Sequence, residues 1–343
     1  TRMTLSILDN PELQAIAPRL VSPDAEVRRI AVMDLGDLAD EAHTPLLVVA
    51  LRDAKPTVRA AAAMALESME NQAAVEGLAA ALDDAEVEVR EAAAHSLAEL
   101  KEPASAAWLL PHAGAGPARV RAAVLRALRE LRAPASAEPA LAALQAPPKD
   151  AEAAGGANAA DAAALRREAV GVLGYLKHAG ALPVLAALSA ADPVDEVRRA
   201  AVGALAFATD DAQARAALET ALRDASWQVR EEAATALGKL QQPEAARALL
   251  AALDDPYWQV RLRAARSLGR LRSAESVAPL LAALAHEISN LRKEAALALG
   301  EVGDAGALPG LENAAHDPDP EVRKSVRLAI AQIGGRLAVS HGA

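Results

Sequence analysis

Ten Val-Arg or Leu-Arg dipeptides fall in one regular series along the chain, and their spacing restricts the possible folds more than any other feature. They are Val27-Arg28, Val58-Arg59, Val89-Arg90, Val120-Arg121, Leu165-Arg166, Val197-Arg198, Val229-Arg230, Val260-Arg261, Leu291-Arg292 and Val322-Arg323. Successive copies lie 31 or 32 residues apart, except for one interval of 45. A unit this short cannot bury an apolar face alone, so it must stack on its neighbours. Eight residues after each landmark stands an apolar residue, Leu35 in the first copy and Ile330 in the last. Eleven residues after it stands another, from Leu38 to Ile333. Positions 0, 4, 8 and 11 share one helical face, so each landmark opens the buried stripe of a helix.

A leucine-rich helix precedes each of these, as in Leu46-Leu47-Leu51, Leu249-Leu250-Leu253 and Leu280-Leu281-Leu284. Turn formers separate the two helices, among them Ser22-Pro23-Asp24, Asp83-Asp84 and Asp254-Asp255-Pro256. Asp and Pro stop one helix and start the next. Gly36, Gly174, Gly238, Gly269, Gly300 and Gly334 each follow a Leu or Ile of the buried stripe. A glycine inside a helix costs about 1 kcal/mol, and close approach of the neighbouring helix is the expected compensation. The prediction is an all-α chain: an α-α superhelix, or solenoid, of about ten two-helix repeats of ~31 residues. Stacked at ~8–10 Å per layer, it would have a contour near ~90 Å. The repeats span residues 11–333 of a single domain, 1–343. The long interval is read as a mobile insertion at about 147–160, rich in Pro, Gly and Ala, and residues 334–343 as a frayed tail.

The pattern D-x-x-x-x-V-R-x-x-A-A-x-A-L-G-x-L followed by a leucine-rich helix resembles the short HEAT-like repeat first named from phycobilin lyases. That resemblance implies a ladder in which an inter-helix Asp pairs with the Arg after Val. Asp53, Asp84, Asp192, Asp224, Asp255 and Asp317 fill the Asp position, whereas Ser22, Ala115, Ala160 and His286 replace it elsewhere. Repeats 4, 5 and 9 therefore lack the carboxylate, and looser stacking is expected there. The repeat class includes scaffolds, lyase subunits and chaperone-like factors, so it implies a fold and no reaction.

Composition narrows the function. Hydrophobic residues make up 52% of the chain but aromatics only 2%, so the apolar content is Ala, Leu and Val. With no cysteine, thiol nucleophiles and thiolate metal sites are excluded. No stretch reaches the roughly 20 apolar residues of a membrane helix, and a cytoplasmic protein without membrane insertion is expected. Of the net charge of −10, all resides in the first 100 residues, which hold 18 acidic and 8 basic side chains. An acidic start and a balanced remainder argue against nucleic acid as a partner.

Catalytic motifs fail on inspection. Gly114-Ala115-Gly116 has Arg119 where a dinucleotide loop needs its third glycine. His286-Glu287 is followed by Asn290 where a zinc-protease helix needs its second histidine. Asp317, Asp319 and Glu321 lack the glycine and the downstream Glu of a calcium loop. Deoxyhypusine hydroxylases resemble this architecture, but their di-iron site draws on several His-Glu pairs and this chain has one. No enzyme activity and no cofactor or metal are expected.

Five of the six aromatics cluster in residues 175–258: Tyr175, Phe207, Trp227, Tyr257 and Trp258. Trp227 and Trp258 share one repeat position and should be neighbours on one rim. Arg263, Arg266 and Arg270 share one face of the adjoining helix. Large aromatics and arginines are the residues of binding hot spots, and these eight are the candidate partner-binding set. Two blander readings stay open: gap-filling by the aromatics, and ion pairs from the arginines to Glu231, Glu232 or Glu294. A second basic group, Arg119, Arg126, Arg129 and Arg132, reads as surface arginines. The expected function is a non-enzymatic scaffold or adaptor that holds a protein or peptide on its second helices, with acidic repeats 1–3 facing a basic segment. The alternative, implied by the lyase resemblance, is a maturation factor that handles a tetrapyrrole, with Tyr175, Phe207, Trp227 and His178 as the candidate lining.

Overall fold

The computed structural model describes residues 11–145 and 157–341. Every described element is helical, and the α-helices pair into ten hairpins. In chain order they are α1 (Pro11–Leu20) and α2 (Ala25–Asp37), α3 (Thr44–Ala50) and α4 (Pro56–Ala65), α5 (Gln72–Ala81) and α6 (Val87–Ala98). Next come α7 (Ser105–Gly114) and α8 (Ala118–Glu130), then α9 (Ala137–Gln145) and α10 (Ala157–Tyr175). These belong to an N-terminal body ending at Leu176. The C-terminal body begins at Lys177. It holds α11 (Leu182–Ala191) and α12 (Asp195–Leu205), α13 (Ala212–Ala221) and α14 (Trp227–Leu240), α15 (Ala246–Ala252) and α16 (Trp258–Leu271). It ends with α17 (Val277–Ala283) and α18 (Ser289–Val302), then α19 (Leu308–Ala314) and α20 (Pro320–His341).

The landmark stripe is the core of each body. Val58, Val89, Val229, Val260 and Leu291 are buried, as are Leu35, Leu66, Leu97, Leu237, Leu268 and Leu299 eight residues on. The glycines after this stripe admit the next even-numbered helix. A Cβ on Gly36 would sit 2.7 Å from the Ala65 Cβ, and one on Gly269 would sit 2.8 Å from the Ala298 Cα. Gly238 meets Ser267 and Gly300 meets Ala329 in the same way. Each partner is small and stands seven residues after its own landmark. Gly334 differs from this expectation, because nothing lies within 4 Å of its would-be Cβ. Buried hydroxyls join the same interfaces: Ser96 donates to the Ala63 carbonyl at 3.0 Å and Ser267 to the Ala234 carbonyl at 2.7 Å.

The resemblance-based ladder is present. Arg28 reaches Asp53 through Nε (2.7 Å) and Nη2 (2.8 Å). Arg59 reaches Asp84, Arg198 reaches Asp224, Arg230 reaches Asp255 and Arg292 reaches Asp317 with the same two-pronged geometry. The third guanidinium arm turns back to its own inter-helix loop, as Arg59 Nη1 does to the Asp53 carbonyl at 2.9 Å. Each carboxylate also accepts the backbone N–H two residues on, Lys55 at Asp53 and Ser226 at Asp224. One residue pair thus shapes two loops and clamps two repeats.

Where Asp is missing, the ladder is broken. Arg90, opposite Ala115, keeps carbonyl partners in its own loop, and Arg121, opposite Ala160, donates to the Ala113 carbonyl. Burial without a carboxylate lowers the Arg121 pKa from its ordinary value. Opposite His286, the buried Nε of Arg261 has no hydrogen-bond partner. His286 supplies only half of the Asp role, its Nδ1 accepting the Ile288 N–H at 3.0 Å.

Two expectations need correction. The C-terminal tail is helical to His341, because Ile333 is buried and Arg336 donates to the carbonyls of Glu301 and Val302 at the end of α18. Of the expected insertion, residues 147–156 lie outside the described residues, while 157–160 already form the start of α10. Helix ends share a further regularity. Ala39, Arg132, Lys177, Gln241 and Arg272 have φ of 49° to 55°, and Gly303 has 80°, all twelve residues after the landmark. The left-handed turn there ends the second helix.

Two outcomes are expected. Hydrogen bonds from Arg28, Arg59 and Arg292 hold Asp53, Asp84 and Asp317 below the ordinary carboxylate value of 3.8. Because the folded values are the lower ones, their contribution is complete above the ordinary value and is lost as pH falls through the folded values. Urea-unfolding stability should therefore drop below about pH 4, and drop less steeply in Asp84→Asn. Second, His286→Asp should complete the ladder at Arg261 and raise stability by about 1 kcal/mol, read as a higher denaturant midpoint at unchanged slope.

Candidate functional site

The geometry of the aromatic group follows from the loop that the ladder shapes. Asp224 caps the turn before α14, so Trp227 becomes the first helical residue. Asp255 does the same one repeat later and leaves Tyr257 extended, at φ −97° and ψ 121°, just ahead of α16. Tyr257 therefore reaches back, and its ring stacks on Trp227 with centroids 5.5 Å apart and planes 10° from parallel. Sequence spacing pairs Trp227 with Trp258, but the ring that stacks on it is Tyr257. Trp258 opens α16 and is partly buried, whereas Tyr257 is 44% exposed.

Arg230 joins this pair to the ladder. Its Cζ lies 5.6 Å from the Tyr257 centroid while Nε and Nη2 grip Asp255 at 2.6 and 3.0 Å. Hydrogen bonding to Asp255 keeps the Arg230 pKa above its ordinary value, so the cation is permanent. The result is a half-exposed aromatic stack whose position is fixed from below by a bidentate ion pair. Such a surface offers π faces to a ligand, the Arg230 charge being taken up by Asp255. Tyr175, the last residue of α10, is 48% exposed and belongs to the N-terminal body. Phe207, two residues past α12, is partly buried in the C-terminal body.

The arginines divide. Arg263 donates to Glu231 at 2.9 Å, and Arg266 grips Glu294 through two contacts of 2.7 Å. Glu294 is only 7% exposed, so this pair ties α16 to α18. Arg270 is exposed and makes no ion pair. Repeat 4 shows the same device: Arg126 and Arg129 converge on the buried Glu168 at 3.1 and 3.0 Å. These two are inter-repeat ties rather than plain surface arginines. In both cases an Arg six residues after its landmark meets a Glu three residues after the next one. Arg119 pairs with Asp83.

The sixth position after the landmark also marks what the aromatic clustering hides. In repeats 1 and 2 it holds Met33 and Met64, 46% and 44% exposed. They line an open groove of about 780 Å³ across α2, α4 and α6. The signal was in the sequence as a column of the repeat alignment, but methionine in an apolar-rich chain draws no notice until its exposure is known. Among the described residues, no three His, Asp or Glu side chains converge as metal ligands, and no helix is long and apolar enough to cross a membrane.

The HEAT-repeat family profile matches residues 13–98, 75–161, 186–259 and 246–331. A comparison with curated proteins returned no match. Among solved structures, an engineered protein is similar over 95% of this chain and 99% of its own, at 21% identity and a TM-score of 0.51. Kap95p, solved in work showing that its binding induces the switch loops of RanGDP to adopt the GTP-bound conformation, is similar at 16% identity and a TM-score of 0.63. That match covers 93% of this chain and 51% of Kap95p. Kap121p bound to Nup53p is similar at 17% identity and a TM-score of 0.63, over 94% of this chain and 41% of Kap121p. The chain thus spans about half or less of those two proteins. At these identities the likeness is one of fold.

Glu294→Gln keeps the shape of the α16–α18 tie and removes its charge. It should cost about 1–2 kcal/mol, the loss being moderated by the partial exposure of Arg266, with the denaturant midpoint as the readout.

Proposed function

We propose that the chain, which belongs to the HEAT-repeat family, is a non-enzymatic scaffold or adaptor that holds a protein or peptide segment on its second helices. One observation carries this reading. In a chain with only six aromatics, the exposed Tyr257 stacks on a partly buried Trp227 and is braced by Arg230. The stack stands at the start of two successive even-numbered helices, and the ladder orders it before any partner arrives. A preordered aromatic surface loses little entropy on binding, and Trp, Tyr and Arg dominate interface energetics. Beside it Trp258 adds apolar area, while Arg270, at the other end of α16 and so about 20 Å from Tyr257, offers a separate exposed cation. Arg263 and Arg266 contribute less to a partner, since Glu231 and Glu294 already engage them. Tyr175 and Phe207 remain members of the proposed set as single aromatic contacts. HEAT-repeat folds that carry protein partners, such as Kap121p with Nup53p, support the reading at the level of architecture.

The other reading, a factor that handles a tetrapyrrole, draws on Tyr175 in one body and Phe207, Trp227 and His178 in the other. No observation within either body favours it. A titration with bilin or haem that leaves the absorption spectrum unchanged would count against it.

The test is affinity capture with the purified chain as bait and identification of bound proteins by mass spectrometry. Tyr257→Ala combined with Arg270→Glu should lower capture of the main partner at least tenfold while the helical circular-dichroism signal stays unchanged. Capture equal to that of the parent chain would overturn the site.

A further inference from the structure

We infer that the N-terminal body carries a second, separate docking groove, across α2, α4 and α6, for a basic peptide segment with two large apolar side chains. The floor of the groove is made of small residues. Gly36 lies against Ala65, and Ala61 and Ala92 occupy the same position, three residues after the landmark, in repeats 2 and 3. Above this floor stand Met33 and Met64, one repeat apart at identical positions. The chain has four methionines, and these two are held at 46% and 44% exposure while Met69 is fully buried. Methionine is flexible and polarisable, which suits a surface that must mould itself around varied apolar side chains. Two half-exposed methionines beside an alanine floor give a ligand apolar surface to cover.

Charge selects the occupant. Asp37, Glu67 and Glu88 line the groove. Against them stands one basic lining residue, Arg29, which pairs with Glu26 and lies over the Met33 sulfur. His95 reaches Glu67 at 3.6 Å, so the net negative charge that the groove presents to its ligand is carried by Asp37 and Glu88 and only in part by Glu67, in the part of the chain that carries the whole net charge of −10. An acidic partner or a nucleic acid would be repelled, and lysine or arginine flanking two apolar anchors would be drawn in. Neighbouring even-numbered helices lie ~8–10 Å apart, so the anchors need about that separation. A segment in the polyproline-II conformation meets this with apolar residues three positions apart, which share one face at about 3.1 Å per residue.

This proposal rests on the reading of the chain as a peptide holder but uses none of the aromatic residues, so the two can fail separately. The probe is a fluorescein-labelled, lysine-rich peptide with two leucines three residues apart, and binding to the full chain is followed by fluorescence anisotropy. Expected are saturable binding that weakens with added salt, and loss of at least tenfold in affinity when serine replaces both leucines. Met33→Ala with Met64→Ala should weaken binding at least fivefold, and Glu67→Lys with Glu88→Lys should abolish it. All four side chains are at least partly exposed, so the variants should keep the parent's unfolding midpoint within a small shift. Tyr257→Ala with Arg270→Glu should bind the probe like the parent chain. Absence of saturable binding, equal affinity for the serine peptide, or variants indistinguishable from the parent would each overturn the groove. Sensitivity of probe binding to the Tyr257 variant alone would place the peptide on the aromatic surface instead.

Discussion

The bidentate Arg–Asp pair between successive repeats is the interaction on which the rest of the structure depends. Ala and Leu give these hairpins a thin core, and apolar burial is tolerant of sliding and rotation. A planar guanidinium against a carboxylate is not tolerant, because both nitrogen–oxygen contacts must be met together. Each Asp also fixes the turn before the next helix. Where the pair is present it fixes loop shape and register, while the junctions at Ala115, Ala160 and His286 stack on their apolar stripes without it. The aromatic stack at Trp227 and Tyr257 inherits its geometry from two of the turns that have it.

The fold was legible because the repeat states it ten times. Val260, Leu268 and Gly269 have counterparts in other repeats, so a weak signal in one unit becomes a strong one in the column. The ladder was legible through resemblance, including its gap at His286, which appears as the unpartnered Nε of Arg261. The candidate site was legible only as a set of residues. Which ring would face Trp227 depended on the extended backbone at Tyr257, and no repeat statistic encodes that. Arg126 and Arg129 resembled surface cations because their partner, Glu168, lies one repeat away in the chain and is nearly buried, whereas for Arg266 the repeat spacing already offered Glu294 as a partner. The methionine groove escaped notice for the opposite reason, since exposure, and not residue type, makes it unusual.

The two surfaces differ in kind. At the aromatic stack the binding groups are stiff and held by ion pairs from beneath. In the groove of the N-terminal body they are flexible side chains on an alanine floor, ringed by acid. A stiff surface favours one shape of ligand, while a flexible one accepts a class of them. The same repeat position, the sixth after the landmark, serves both purposes within this chain. It holds the exposed Met33 and Met64 of the groove in repeats 1 and 2, and in repeats 4 and 8 the Arg126 and Arg266 that tie two repeats.

The left-handed residue that ends so many of the second helices has a consequence for how such a chain can change over time. Ala39, Arg132, Lys177, Gln241 and Arg272 all adopt a conformation that a side chain makes unfavourable by about 1 kcal/mol. Gly303 already avoids that strain. These positions lie at helix ends, apart from the sixth-position column that holds the groove methionines and the arginine ties. Exchange of a side-chain-bearing residue there for glycine can raise stability in small, separable steps, whereas a Cβ on Gly303 would also displace Arg336 from the end of α18. A lineage built this way could drift in thermal tolerance and in partner choice along independent axes.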